Sequence, residues 1–187
     1  MGCVLYTIQE SLYAAAAPWR AFAESAAYFS SHPLSPLSYS PFGRSITASC
    51  ELFERNSRQW EKPAFGLHST VVDGLEVVVT EEVAHERPFC RLVHFRRDST
   101  QIHPKVLVVA PMSGHFATLV RGTVEALLPE HDVYLTDWAN ARDVPLDEGR
   151  FDLDDYIDYT IEFLRLLGPD LHVIAVCQPT VPVLAAI

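Results

Sequence analysis

Basic residues are scarce in this sequence. Fourteen lysines and arginines against 24 aspartates and glutamates leave a net charge of −10. That deficit argues against a nucleic-acid partner, because such binding needs a basic face to displace counterions. Cysteine is scarce as well. Cys3, Cys50, Cys90 and Cys177 are scattered, with no CxxC spacing, so neither a disulfide framework nor a zinc site is expected, and no metal or cofactor is called for. No apolar run approaches the roughly 18 residues that a membrane span needs. The N-terminus lacks the basic and long apolar regions of a secretory signal. Met1-Gly2 is followed by Tyr6 where a myristoylation signal carries Ser or Thr. These absences point to a reducing cytoplasm, where a free thiol survives. Internal repeats and low-complexity tracts are also missing.

What remains is ordinary globular composition, 49% hydrophobic and 20% charged, sufficient for one modest core. Leu5, Ile8, Leu12, Ala15, Trp19, Phe22, Ala26 and Phe29 recur at helical spacing and predict an amphipathic helix over 4–30, bent at Pro18. The stretch 31–43 holds Pro33, Pro36, Pro41 and Gly43 and reads as an extended connector. A second helix is expected from about Arg44 to Trp60. After Gly66 the pattern changes, which divides the chain into an N-terminal helical segment (1–66) and a second region (67–187). Val71-Val72, Asp73-Gly74 and Leu75–Val79 read as a β-hairpin, and a strand follows over Phe89–Arg96. From Lys105 apolar strands alternate with helices: strand 106–110, helix 116–128, strand 133–136, helix 153–167, strand 171–176. The 153–167 helix has Asp152, Asp154 and Asp155 at its positive end and Gly168-Pro169 as its stop. Its apolar stripe is Leu153, Ile157, Ile161, Leu164 and Leu167. Two early antiparallel strands followed by β-α-β-α-β give an α/β class with a mostly parallel sheet, in the order of an α/β-hydrolase.

The last strand runs into Cys177, and Gln178-Pro179-Thr180 begins what reads as a helix. Strand, sharp turn and helix with a reactive side chain at the bend is the layout of a nucleophile elbow. Small residues belong two positions either side of the nucleophile, and here Ala175 and Pro179 stand there. Pro179 suits the first turn of a helix, where its missing N–H costs nothing. A thiol attacks as thiolate, a form favoured at a helix N-terminus. Two readings of Cys177 stand together: a catalytic nucleophile, or a small buried apolar side chain such as most free cysteines are. An oxyanion hole would take one backbone donor from Gln178 and a second from Met112 or Ser113, in the turn after strand 106–110.

In this layout the acid and base follow the nucleophile. The chain stops ten residues after Cys177, so the expectation is the N-terminal part of a longer hydrolase, with its acid and base beyond Ile187. Among upstream residues His115 is nearest by position, ahead of His172 and His131, and each reads better as a surface or structural histidine. Asp137 ends a strand on the active-site side and reads as a loop or cap residue. Asp152, Asp154 and Asp155 lack the glycine and distal Glu of a calcium loop and read as helix caps.

Several segments are distinctive together: Phe42-Gly43-Arg44, Pro88-Phe89-Cys90-Arg91-Leu92, Ala110-Pro111-Met112-Ser113-Gly114-His115, Thr136-Asp137-Trp138, Gly149–Ile157 and Val176-Cys177-Gln178-Pro179. In these the chain resembles intracellular poly(3-hydroxybutyrate) depolymerases along essentially its whole length. The resemblance implies a cytoplasmic α/β-hydrolase on polyester storage granules, with Cys177 as nucleophile and an acyl-thioester intermediate. It also implies a carboxylic ester hydrolase whose Asp and His cannot be assigned here, so that this length of chain is expected to be inactive. The helix at 4–30, with Tyr13, Trp19, Phe22, Tyr28 and Phe29, is a candidate docking face, against the reading that this stripe packs on the core. Two alternatives are a polyhydroxyalkanoate synthase-like acyltransferase, whose pattern resembles G-x-C-x-G where this chain has Ala175 and Pro179, and a non-catalytic granule-binding fragment.

Overall fold

The computed structural model describes residues 2–58, 61–112 and 116–187, with side chains from residue 8 onward, residue 9 excepted. The chain divides into two compact units, Met1–Glu61 and Lys62–Ile187. The boundary precedes the expected one after Gly66. The reason is packing: the Phe65 ring meets Phe95 edge-on at 5.3 Å, and Arg121 donates from Nε to the Phe65 carbonyl at 2.5 Å.

The first unit is a helical hairpin. Helix α1 (Gly2–Ser31) keeps Pro18 inside it, and α2 spans Pro41–Ser57. The connector is not extended throughout. Pro36 presets a short 3-10 turn over Pro36–Tyr39. Helix α2 starts at Pro41 rather than Arg44 because Ser40 caps it, accepting from the Gly43 N–H at 3.0 Å. Gly43 has no alternative there, since a Cβ would lie 1.9 Å from the Leu37 carbonyl oxygen. Helix α2 ends at Ser57; the expected terminus at Trp60 lies outside the described residues. The two helices are tied by Arg20 Nη1, which donates to the Ser57 carbonyl at 2.6 Å, and by the Ser30–Thr47 hydroxyl pair at 2.6 Å. The aromatic stripe does not pack inward. Ala23 and Ser30 are buried, while Trp19, Phe22, Tyr28 and Phe29 stand exposed.

The second unit is built on one six-stranded sheet. Its strands are β1 (Ser69–Val72), β2 (Leu75–Arg87), β3 (Cys90–Arg97), β4 (Lys105–Val109), β5 (Asp132–Trp138) and β6 (Leu171–Ala175), in the spatial order β1-β2-β3-β5-β4-β6. Helices lie on both faces of its β3–β6 part, and its β1–β2 end is exposed. The β1/β2, β2/β3 and β3/β5 pairings are antiparallel, and β4/β5 and β4/β6 are parallel. The sheet is thus mixed rather than mostly parallel. Connection length decides this: tight turns join β1 to β2 and β2 to β3, and tight turns force antiparallel pairing. At the first turn Asp73 (φ 49°) and Gly74 (φ 81°) are both left-handed, the geometry of a two-residue hairpin turn. Strand β2 runs past the expected end at Val79 to Arg87, with a register shift between Val83 and His85.

Helix α3 (Arg121–Leu127) is preceded by a 3-10 turn over Ala117–Val120, so the expected 116–128 helix is two pieces. Helix α4 spans Leu153–Leu167, as expected, and α5 spans Thr180–Ala186. Alternation along the strands sorts the core into two clusters. Val93, Phe95, Val106, Val108, Val133 and Leu135 pack with Val120, Val124 and Leu128 of the α3 region. Cys90, Leu92, Leu107, Val109 and Trp138 pack with Tyr156, Tyr159, Phe163 and Leu167 of α4 and Val183 of α5. The buried face of α4 is therefore aromatic. Of the predicted stripe, Leu167 is buried, Leu153 is exposed, and Ile157, Ile161 and Leu164 are half-buried.

Candidate active site

Three parallel strands end at one edge of the sheet and set the geometry there. Val109 pairs with Ala175, and the Val176 N–H donates to the Val109 carbonyl at 3.2 Å. The chain therefore leaves β4 into Ala110-Pro111-Met112 beside the point where β6 delivers Cys177. Strand β4 lies between β5 and β6, so the connections from its neighbourhood depart in opposite directions. In α/β sheets, crevices for ligands lie outside the carboxyl ends of strands at such a point.

Cys177 has φ +66°, and among the described residues the one other non-glycine with positive φ is Asp73. A left-handed conformation costs an L-residue roughly 1–2 kcal/mol. It persists here because the turn is held from the helix side. The Cys177 carbonyl accepts from Thr180 N at 3.2 Å and Thr180 Oγ1 at 2.7 Å. Pro179, in the right-handed region (φ −58°, ψ −15°), leads into α5. The side chain of Cys177 is exposed, which removes the reading of it as a buried apolar filler. Cys90 fits that description instead: it is fully buried, and burial together with the Asp137 carboxylate pushes its thiol pKa well up.

The other sequence candidates fall in different places. The Gln178 backbone follows Cys177 directly, and Met112, half-buried against the α4-side core, stands just beyond the end of the neighbouring strand β4. Ser113 and His115 lie outside the described residues. His172 is exposed and pairs in register with Val106, near the opposite end of the strands. His131 follows α3 at that same far end, its N–H donating to the Leu127 carbonyl at 2.9 Å. Neither is brought to Cys177. Among the described residues no histidine or carboxylate hydrogen-bonds the Cys177 sulfur.

Asp137 departs from the loop or cap role. It is buried, accepts from Arg91 Nη2 at 3.0 Å across the β3/β5 pairing, and pairs with Lys62 Nζ. Two cations compensate a carboxylate that burial would otherwise penalise. The end of β4 is fixed by two further bonds: Thr136 Oγ1 accepts from Ala110 N, and Trp138 Nε1 donates to the Ala110 carbonyl, each at 2.9 Å. Trp138 in turn meets Tyr156 at 4.3 Å between ring centroids, and Phe151 stacks on Phe89 at 4.8 Å. Sequence reading missed this cluster. The signal for it was Tyr156, Tyr159 and Phe163 at helical spacing. The acidic trio does cap α4: Asp152 and Asp155 form a reciprocal capping box, and Asp154 N donates to Asp152 at 3.1 Å. Among the described residues no group of three or more His, Cys, Asp or Glu side chains is placed to hold a metal, and no helix is long and apolar enough to cross a membrane.

No protein-family model, no curated protein and no solved structure matches this chain.

Proposed function

We propose that the chain carries the nucleophile of an α/β-hydrolase acting on polyester, of the intracellular poly(3-hydroxybutyrate) depolymerase kind. The observation that carries the reading is Cys177: an exposed thiol at φ +66° on the bend between β6 and α5. Strained backbone held at a bend presents a reactive atom away from its own strand and helix. The thiolate attacks an ester carbonyl carbon, a C–S bond forms, the C–O bond breaks, and the leaving alkoxide takes a proton. Water then cleaves the thioester. Gln178 N–H and a backbone N–H at Met112 or Ser113 are the proposed oxyanion donors. The proposed setting is a cytoplasmic storage granule, with the exposed Trp19, Phe22, Tyr28 and Phe29 of α1 as the contact with polymer.

The half-reaction that this thiol would supply is directly testable. Incubation of the purified chain with p-nitrophenyl butyrate, followed by peptide mass spectrometry, is expected to find the butyryl group on Cys177 in preference to Cys90 and Cys50. Parallel incubation with amorphous poly(3-hydroxybutyrate) granules reads release of 3-hydroxybutyrate. Acylation that is absent, or that persists unchanged in Cys177→Ala, removes Cys177 from the chemistry.

A further inference from the structure

We infer that a polar cavity at the end of the sheet opposite Cys177 binds a small phosphate monoester. The cavity has a volume of about 360 Å³ and is lined by Arg96, Arg97, Gln101, His103, Lys105 and Asp132, among others. A chain with a net charge of −10 here brings three cations and a histidine to a cavity with one carboxylate in its lining, and Arg96 reaches it with its Nε already paired to Glu82 at 2.6 Å.

That carboxylate is already engaged. Asp132 Oδ1 is 2.7 Å from His94 Nε2, and the His94 ring stacks on Tyr134 at 4.3 Å. Arg97 is nine-tenths buried. Its Nη1 donates to the Leu128 and Pro129 carbonyls at 3.0 and 3.3 Å, at the end of α3. Lys105 Nζ donates to the Leu167 carbonyl at 2.9 Å, at the end of α4. A helix C-terminus offers about half a negative charge, so each cation keeps positive charge and further N–H donors beyond the one it spends. Among the described residues nothing accepts a hydrogen bond from Arg97 Nε or Nη2. Burial lowers the Arg97 pKa, and the Asp132 charge opposes that.

The chemistry that meets this need is a compact dianion. The donors come from the end of β3, the loop 98–104 and the start of β4, so they suit a tetrahedral phosphate better than a planar carboxylate, which one arginine fork can take alone. The volume is that of a small-molecule site rather than of a lone ion. Ile102, fully exposed at the rim, offers apolar contact to an organic body. The inference is independent of the role of Cys177.

The test is isothermal titration calorimetry of the full chain with phenyl phosphate, at fixed ionic strength, with inorganic phosphate and benzoate as parallel titrants. Arg97 caps α3, so the variants are Arg96→Gln and His103→Gln combined, checked for retained fold by circular dichroism, with Arg150→Gln as a distant control. Saturable binding of phenyl phosphate that weakens tenfold or more in the double variant and not in the control is expected. No saturable heat, a smaller change in the double variant, an equal loss in the control, or benzoate bound as tightly overturns the inference.

Discussion

Cys177 shows how one backbone angle changes the meaning of a residue. Its identity and its neighbours were legible, but burial and φ were not, because both depend on where α5 packs. The strain at φ +66° makes a stability prediction. Cys177→Gly removes roughly 1–2 kcal/mol of left-handed strain and adds roughly 0.5–1 kcal/mol of glycine entropy. The glycine variant should therefore exceed Cys177→Ala by up to about 1.5 kcal/mol in urea unfolding. Asp132 makes a second one. Burial raises its pKa, but the hydrogen bond and charge of His94, with Arg97 and Lys105, outweigh that and bring it below the ordinary carboxylate value. A lowered folded pKa means a stability contribution that is complete above about pH 4 and fades as pH falls through the folded value. Asp132→Asn should accordingly cost stability at pH 6, and the difference from the parent should shrink as pH falls through the lowered folded value, as read by urea midpoints. Asp137 was misread from sequence because its partners, Arg91 and Lys62, lie 46 and 75 residues away.

Elements were legible where local chemistry alone sets them. Helix α4 has the expected bounds, since a capping box opens it and Gly168 (φ 92°) closes it. Asp152→Ala should cost about 1 kcal/mol, whereas Asp154→Ala, which leaves both halves of the box in place, should cost less. Thermal melts of the two variants compare them. The buried face of α4 was not legible. Its aliphatic positions make a good helical stripe, yet Tyr156, Tyr159 and Phe163 turn inward because they meet Trp138 and Phe151. Strand β2 outran its apolar segment for a similar reason: Thr80, Glu81 and Glu82 continue to pair with β3 through Arg96, Phe95 and His94, and backbone pairing does not require apolar side chains.

At the scale of the molecule, both hydrophobic clusters of the sheet draw all their residues from Phe65 to Val183. A chain of residues 62–187 should therefore fold without the helical hairpin. Trp138 is its single tryptophan and is buried, so one cooperative urea transition in its fluorescence is the expected result. A gradual, non-cooperative change would show that the sheet needs the first unit. Strand β6 lies at the sheet edge with its far side unpaired among the described strands, a feature that favours self-association.

Local order was written in the residues themselves. Asp73-Gly74 imposes a hairpin, Asp152 and Gly168 bracket a helix, and a short apolar run followed by Cys177 announces a strand and a bend, because turns, caps and propensities act within a few residues. Tertiary structure alone decided the rest. It made the sheet mixed, put Arg91 and Lys62 on Asp137, buried one cysteine and exposed another, and gathered Arg96, Arg97 and Lys105 at the far end. Those outcomes depend on strand order and on which faces meet, and such pairings between distant segments leave no periodic trace in a single sequence.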